Sequence, residues 1–176
     1  MGIFDFFRKG KKGPNKDRAN RSPKKTSSPF SEILGELHAS WLDADIYFSS
    51  PFEIPFFDNQ MIAIGVGAAN HKETLEAADN ALENFMNLTA KDRLPSSQKV
   101  LTYYQTCLEY GMSKELEIKT GSDVWRYVDP VEIMVESISG EGTLILVNCE
   151  CEWEQEHGLM LTFKNGKDLI KVGGIE

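Results

Sequence analysis

Asn148-Cys149-Glu150-Cys151-Glu152-Trp153-Glu154-Gln155-Glu156-His157-Gly158-Leu159 is the densest run of chemically capable side chains in the chain. The hydrophobic pattern around it sets the fold. From Leu144 to Trp153 apolar residues alternate, which sends successive side chains to opposite faces of a strand. Ile145, Val147, Cys149, Cys151 and Trp153 share one face, apolar throughout and expected to meet a core. Leu144, Leu146, Asn148, Glu150, Glu152 and Glu154 share the other, which turns acidic towards its end. Unpaired carboxylates are costly to bury, so that end is expected to be wet. Gln155 to Gly158 reads as the connection, with Gly158 free to take a conformation other residues resist.

Alternation resumes in Leu159-Met160-Leu161-Thr162-Phe163, and Asn165-Gly166 follows as a strong hairpin signal. A two-residue turn there would set Lys164 opposite Lys167, Leu161 opposite Ile170 and Leu159 opposite Val172.

The run Cys151 to Leu159, then a hydrophobic strand and Lys164-Asn165-Gly166-Lys167, resembles the C-terminal signature of an uncharacterised bacterial domain family, DUF6985. The shared pattern is a cysteine, an acid, Trp, two variable or acidic residues, then Glu-His-Gly-Leu. It covers about one hairpin. The resemblance implies a bacterial, cytoplasmic protein and assigns no catalytic role to any position.

Upstream, Ser28-Pro29 reads as a helix start, and Phe30, Ile33, Leu34, Leu37 and Trp41 fall at helical spacing, predicting a helix over 29–42. Phe52, Ile54 and Phe56 alternate, Asp58-Asn59 marks a turn, and Gln60 to Val66 alternates again, which predicts a first hairpin. Gly65-Val66-Gly67 lacks the rest of a phosphate-loop pattern. Asn70 with Glu73 resembles a capping box before a helix over 71–88. Leu94-Pro95-Ser96-Ser97 reads as a break, followed by a helix that ends at Gly111 and carries Cys107 on its apolar stripe. Residues 112–123 read as loop, or a short helical turn near 114–117. Val124 to Val128 is expected as a short strand stopped by Asp129-Pro130, and Val131, Ile133 and Val135 are expected on one face of the next. The fold class is therefore α+β: an antiparallel sheet, made of an N-terminal hairpin and a C-terminal meander of three or four strands, packed against two or three amphipathic helices.

Charge divides the chain. Residues 1–25 hold nine Lys/Arg against two Asp, and the remainder holds ten basic against 25 acidic residues. This predicts a disordered basic leader, 1–28, before a single domain, 29–176. Phe4, Phe6 and Phe7 beside the basic run allow weak contact between leader and an anionic membrane surface, against the plainer reading of a solubilising leader. An acidic body disfavours nucleic acid and favours a basic protein partner, though charge for solubility alone is the simpler account. Three cysteines are an odd number. Cys149 and Cys151 lie about 6.6 Å apart along one strand, near the limit for a disulfide. All three are expected as reduced thiols in the cytoplasm.

The candidate functional surface is Glu150, Glu152, Glu154, Glu156 and His157, with Trp153 and Gly158 as its structural anchors. Carboxylates gathered around His157 would favour the imidazolium and suit a charge sensor. The thiols face away from the glutamates, so they do not converge on one ion, and neither a metal nor a cofactor is expected. Glu156 or His157 is expected to satisfy the turn backbone. Two functions follow. The favoured one is non-catalytic protein binding or regulation, immunity-like by analogy of size and charge, through the acidic hairpin. The alternative is a small hydrolase or metal-dependent enzyme using Glu154, Glu156 and His157 as acid and base.

Overall fold

A computed structural model describes residues 28–111 and 115–175. Its strands are β1 (Phe30–Ser31), β2 (Gly35–Glu36), β3 (His38–Ala39), β4 (Ile46–Phe48), β5 (Phe52–Ile54), β6 (Gln60–Ile62), β7 (Ile64–Gly67), β8 (Val128–Ile138), β9 (Gly142–Cys151), β10 (Leu159–Lys164) and β11 (Asp168–Gly173). The helices are α1 (Lys72–Met86) and α2 (Arg93–Glu109). Seven strands form one sheet in the order β11-β10-β9-β8-β7-β4-β3, while β1-β2 and β5-β6 are separate hairpins. The expected α+β class is what the chain adopts, and its C-terminal meander has four strands, β8 to β11. The sheet is mixed, because β7 and β8 pair in parallel. A parallel pair needs a long crossover, and the segment carrying α1 and α2 supplies it.

The alternating residues make the core. Ile145, Val147, Cys149 and Cys151 of β9 are buried with Leu159, Leu161 and Phe163 of β10 and Ile133 and Val135 of β8. Helix α1 covers them with Ala78, Ala81, Leu82 and Phe85, and α2 with Val100, Tyr104 and Cys107. Phe56 and Phe85 stand 5.4 and 5.1 Å from Phe163, both edge-on. Gly65 is a strand residue whose missing Cβ leaves room for Met134 Sδ and Phe48. No helix among the described residues is long and apolar enough to cross a membrane.

Local chemistry overrides periodicity at several places. Residues 29–42 are not helical. Ser31 Oγ accepts the N–H of Ile33 and of Leu34, and Gly35 turns at φ +77°, so the segment folds into short strands. Leu34 and Leu37 are still buried, but Trp41 is 90% exposed. The Ser31 hydroxyl, 2.5 Å from Asp79 Oδ1, ties this segment to α1. Helix α1 is capped at His71, not Asn70, with no side-chain cap bond. Pro95 lies in the first turn of α2, where a missing N–H costs nothing, so it begins no break.

The expected strand over 124–128 is mostly a 3-10 turn, Gly121–Tyr127, closed by a Thr120/Asp123 capping box. Asp129-Pro130 does not stop β8. The strand runs through with a register shift between Pro130 and Glu132, and the extra residue, Val131, leaves the core face shared by Ile133 and Val135. The turn at Asn165-Gly166 spans three residues, 165–167, so Lys164 faces Asp168 instead of Lys167. Ile170 is the unpaired bulge residue of β11 and is 49% exposed, while Leu169 takes the inward place. Leu161 therefore faces Val172, and Leu159 pairs with Cys149 on its other side. The expected leader, apart from Ser28, and its membrane contact lie outside the described residues. So does position 114 of the expected turn.

Candidate functional site

Strand β9 outruns its partner. Cys149 is its last residue paired to β10, and Glu150 and Cys151 continue along β8 alone. The chain then crosses from 152 to 158 and enters β10. Trp153 drops inward, 1% exposed, with its ring 5.7 Å from Tyr104. Gly158 turns at φ +60°, and a Cβ there would sit 2.8 Å from the Cys149 carbonyl oxygen. Only glycine fits that approach.

The expected wet acidic face divides at this crossing. Glu150 and Glu152 are exposed, as are Glu156 and His157, but Glu154 is 4% exposed. Glu154, rather than Glu156 or His157, satisfies the loop backbone. Its Oε1 accepts the N–H of Glu156 at 3.0 Å and of His157 at 3.1 Å. The same oxygen lies 3.5 Å from His157 Nδ1. Its other oxygen, Oε2, is sealed from solvent and has no hydrogen-bond partner. Glu154 thus contacts His157 directly, while alternation sends Glu150 to the sheet's outer face.

Beneath the loop the thiols lie inward. Cys107, Cys149 and Cys151 are all free and buried. Burial pushes the Cys151 thiol up to about 12, with neighbouring Cys107 and Glu154 adding to it. Burial likewise raises Cys149 and Cys107. Tyr103 is raised by burial and then by Cys107, and its hydroxyl donates to the Gly158 carbonyl at 3.1 Å. Such thiols are held neutral and are poor nucleophiles.

A cavity of about 600 Å³ opens between the start of β8 and this loop. Among the described residues, Asp129, Glu150, Glu152 and Glu154 line it, with Arg126 as the basic residue. Arg126 is held at the rim, 3.7 Å from Asp123 and with its guanidinium 5.8 Å from the Tyr127 ring centre. Asp129 and Glu150 are directly opposite each other on adjacent strands. Like charges so placed destabilise a sheet. Asp129 Oδ1 also accepts from Gln60 Nε2 at 2.8 Å.

Asp129, Arg126 and Tyr127 were invisible as site residues in the sequence. Counting back from the 139–141 turn without a bulge sets Glu150 opposite Pro130. The extra residue at Val131 moves Asp129 into that place. Glu156 and His157 are not among the cavity's lining residues. Among the described residues, no three His, Cys, Asp or Glu side chains are placed to hold a metal ion. What the arrangement offers chemically is a concave, negatively charged pocket with an aromatic wall.

A family model described as a domain of unknown function, DUF6985, matches residues 33–176. No curated protein and no solved structure matches the chain.

Proposed function

The chain belongs to the DUF6985 family, and from that premise we propose that it is a non-catalytic binding domain that takes a basic partner protein on the acidic end of β8 and β9. One observation carries the reading: Asp129 and Glu150 stand opposite each other at the mouth of a cavity that Glu152 and Glu154 also line. A cross-strand pair of like charges weakens the fold, and folds retain such violations where a site needs them. A cationic surface would relieve the repulsion on docking and would be steered there by an acidic body. Neutralising a cationic protein, as an immunity-like partner does, fits this chemistry. The cytoplasm is the compartment the reading implies, since Cys107, Cys149 and Cys151 are all free thiols.

The contact surface is the cavity mouth with Glu150 and Glu152, extended by exposed Glu156 and His157. Cross-linked capture tests it, comparing the full chain with its Glu150→Lys/Glu152→Lys variant. Basic proteins held by the wild type should be lost from the variant. Equal recovery on both would overturn the reading.

A second reading, a small hydrolase or metal-dependent enzyme using Glu154, Glu156 and His157, draws on the 3.5 Å approach of Glu154 to His157. A carboxylate so placed can orient an imidazole for acid–base work. Here its near oxygen is already occupied by two backbone N–H groups. Hydrolysis of ester or phosphoester substrates lost on His157→Gln would favour this second reading over binding.

A further inference from the structure

We infer that the cavity between β8 and the 152–158 loop is a receptor for a single guanidinium group, the side chain of an arginine presented by the basic partner. This rests on the binding reading above and names what the site grips. Three features point to a cation of that shape.

The first is Glu154. It lines the cavity, is 4% exposed, and its Oε2 is sealed without a hydrogen-bond partner. A buried carboxylate oxygen left unpaired carries its full desolvation cost, and a donor that parts the 152–158 loop far enough to reach it would remove that cost. The second is the Asp129–Glu150 pair on the facing strands. A guanidinium holds five N–H donors in one plane and can bond to both carboxylates at once, which a compact ammonium matches less well. The third is the wall. Tyr127 and Val128 line the cavity beside the acids, and the Tyr127 ring already carries a guanidinium, that of Arg126, on its face. A stacked guanidinium is more weakly hydrated than an ammonium and loses less on entering such a site. Arg126 is the basic residue among the described lining residues, and it lies 3.7 Å from Asp123, outside the cavity. Among the described residues that line it, Asp129, Glu150 and Glu154 are acidic against the one guanidinium of Arg126. A volume of about 600 Å³ exceeds one side chain, so flanking partner backbone would enter too.

The test is amide NMR on the full chain, titrated with N-acetyl-arginine methylamide, its lysine counterpart and its neutral isostere, the citrulline amide. The arginine probe should give saturable shifts at Glu150, Cys151, Gln155 and Gly158, with a dissociation constant in the millimolar range expected of a fragment. Lysine should bind roughly tenfold weaker and citrulline should not saturate. Asp129→Asn and Glu150→Gln should each weaken the arginine probe by about tenfold. They keep the strand pairing, whereas Glu154→Gln would also remove an acceptor that closes the loop. Shifts equal for arginine and citrulline, or none from arginine, would overturn the inference. If the Glu150→Lys/Glu152→Lys variant still loses its partner while the arginine probe is silent, the acidic surface stands and the guanidinium pocket falls. If the probe saturates while capture is unchanged in that variant, the pocket stands and the partner reading falls.

Discussion

Glu154 divides its two carboxylate oxygens between different tasks. Oε1 closes the 152–158 loop by taking two backbone N–H groups, and Oε2 stays buried without a hydrogen-bond partner. Glu150, on the rim, has the opposite balance: it is exposed and faces another acid. Removing its charge should therefore help the fold. Glu150→Gln is expected to raise stability by about 0.5 kcal/mol through lost cross-strand repulsion, read as a higher urea midpoint, while weakening cation binding. A lower midpoint would mean that the carboxylate holds the strand together. His157 stands apart from both. Its side chain is 51% exposed, and Glu154 approaches one ring nitrogen only.

At the scale of elements, the β10–β11 turn is the joint between sheet and helix. Asn165 and Gly166 both turn in the left-handed region, at φ +50° and +71°. Asn165 exchanges bonds with Thr143 of β9, and Asn84 of α1 donates to its carbonyl at 3.0 Å. A Cβ on Gly166 would meet the Ala81 carbonyl oxygen of α1 at 1.9 Å. Backbone cannot yield as a side-chain tip can. Gly166→Ala should cost at least ~2 kcal/mol through the displaced helix and the strained φ, seen as a fall in urea midpoint with β-sheet circular dichroism retained below it. An unchanged midpoint would show that α1 and the turn separate freely. Arg93 makes the corresponding joint on the other side. It grips Asp58 at 2.7 and 2.9 Å while lying over the Trp125 ring, and Trp125 donates to Ser97 at 2.8 Å. The 3-10 turn that begins the cavity wall is fixed by this chain of contacts.

For the whole molecule, buried acids of high proton affinity set an alkaline limit. Cys149, Cys151, Cys107 and Tyr103 are all raised, with burial as the leading cause. A folded state that holds these protons more tightly than the unfolded chain is stabilised fully below the ordinary thiol value of 9.0. That stability is lost as pH rises through the window from there to about 12. Thermal unfolding should therefore move steadily lower across this window, and a thiol reagent should find no reactive cysteine in the native chain at neutral pH. Rapid native labelling would contradict the burial. The same inward thiols leave the acidic end of the sheet to carry the outward chemistry.

The sequence by itself determined the parts that depend on near neighbours. Strict alternation placed Ile145, Val147, Cys149, Cys151 and Trp153 inward, helical stripes placed α1 and α2, and Gly158 and Gly166 marked turns that no other residue tolerates. Each of these follows from a period or a φ value carried locally. The tertiary structure alone decided what depends on register. One extra residue at Val131 set Asp129 against Glu150, another at Ile170 turned β11, and Ser31 with Gly35 unmade a helix that spacing had predicted. Only the closing of the loop over α2 buried Glu154 while its neighbouring glutamates stayed in water. Bulges and burial of this kind arise from how distant segments fit together, and no local pattern in the chain records them.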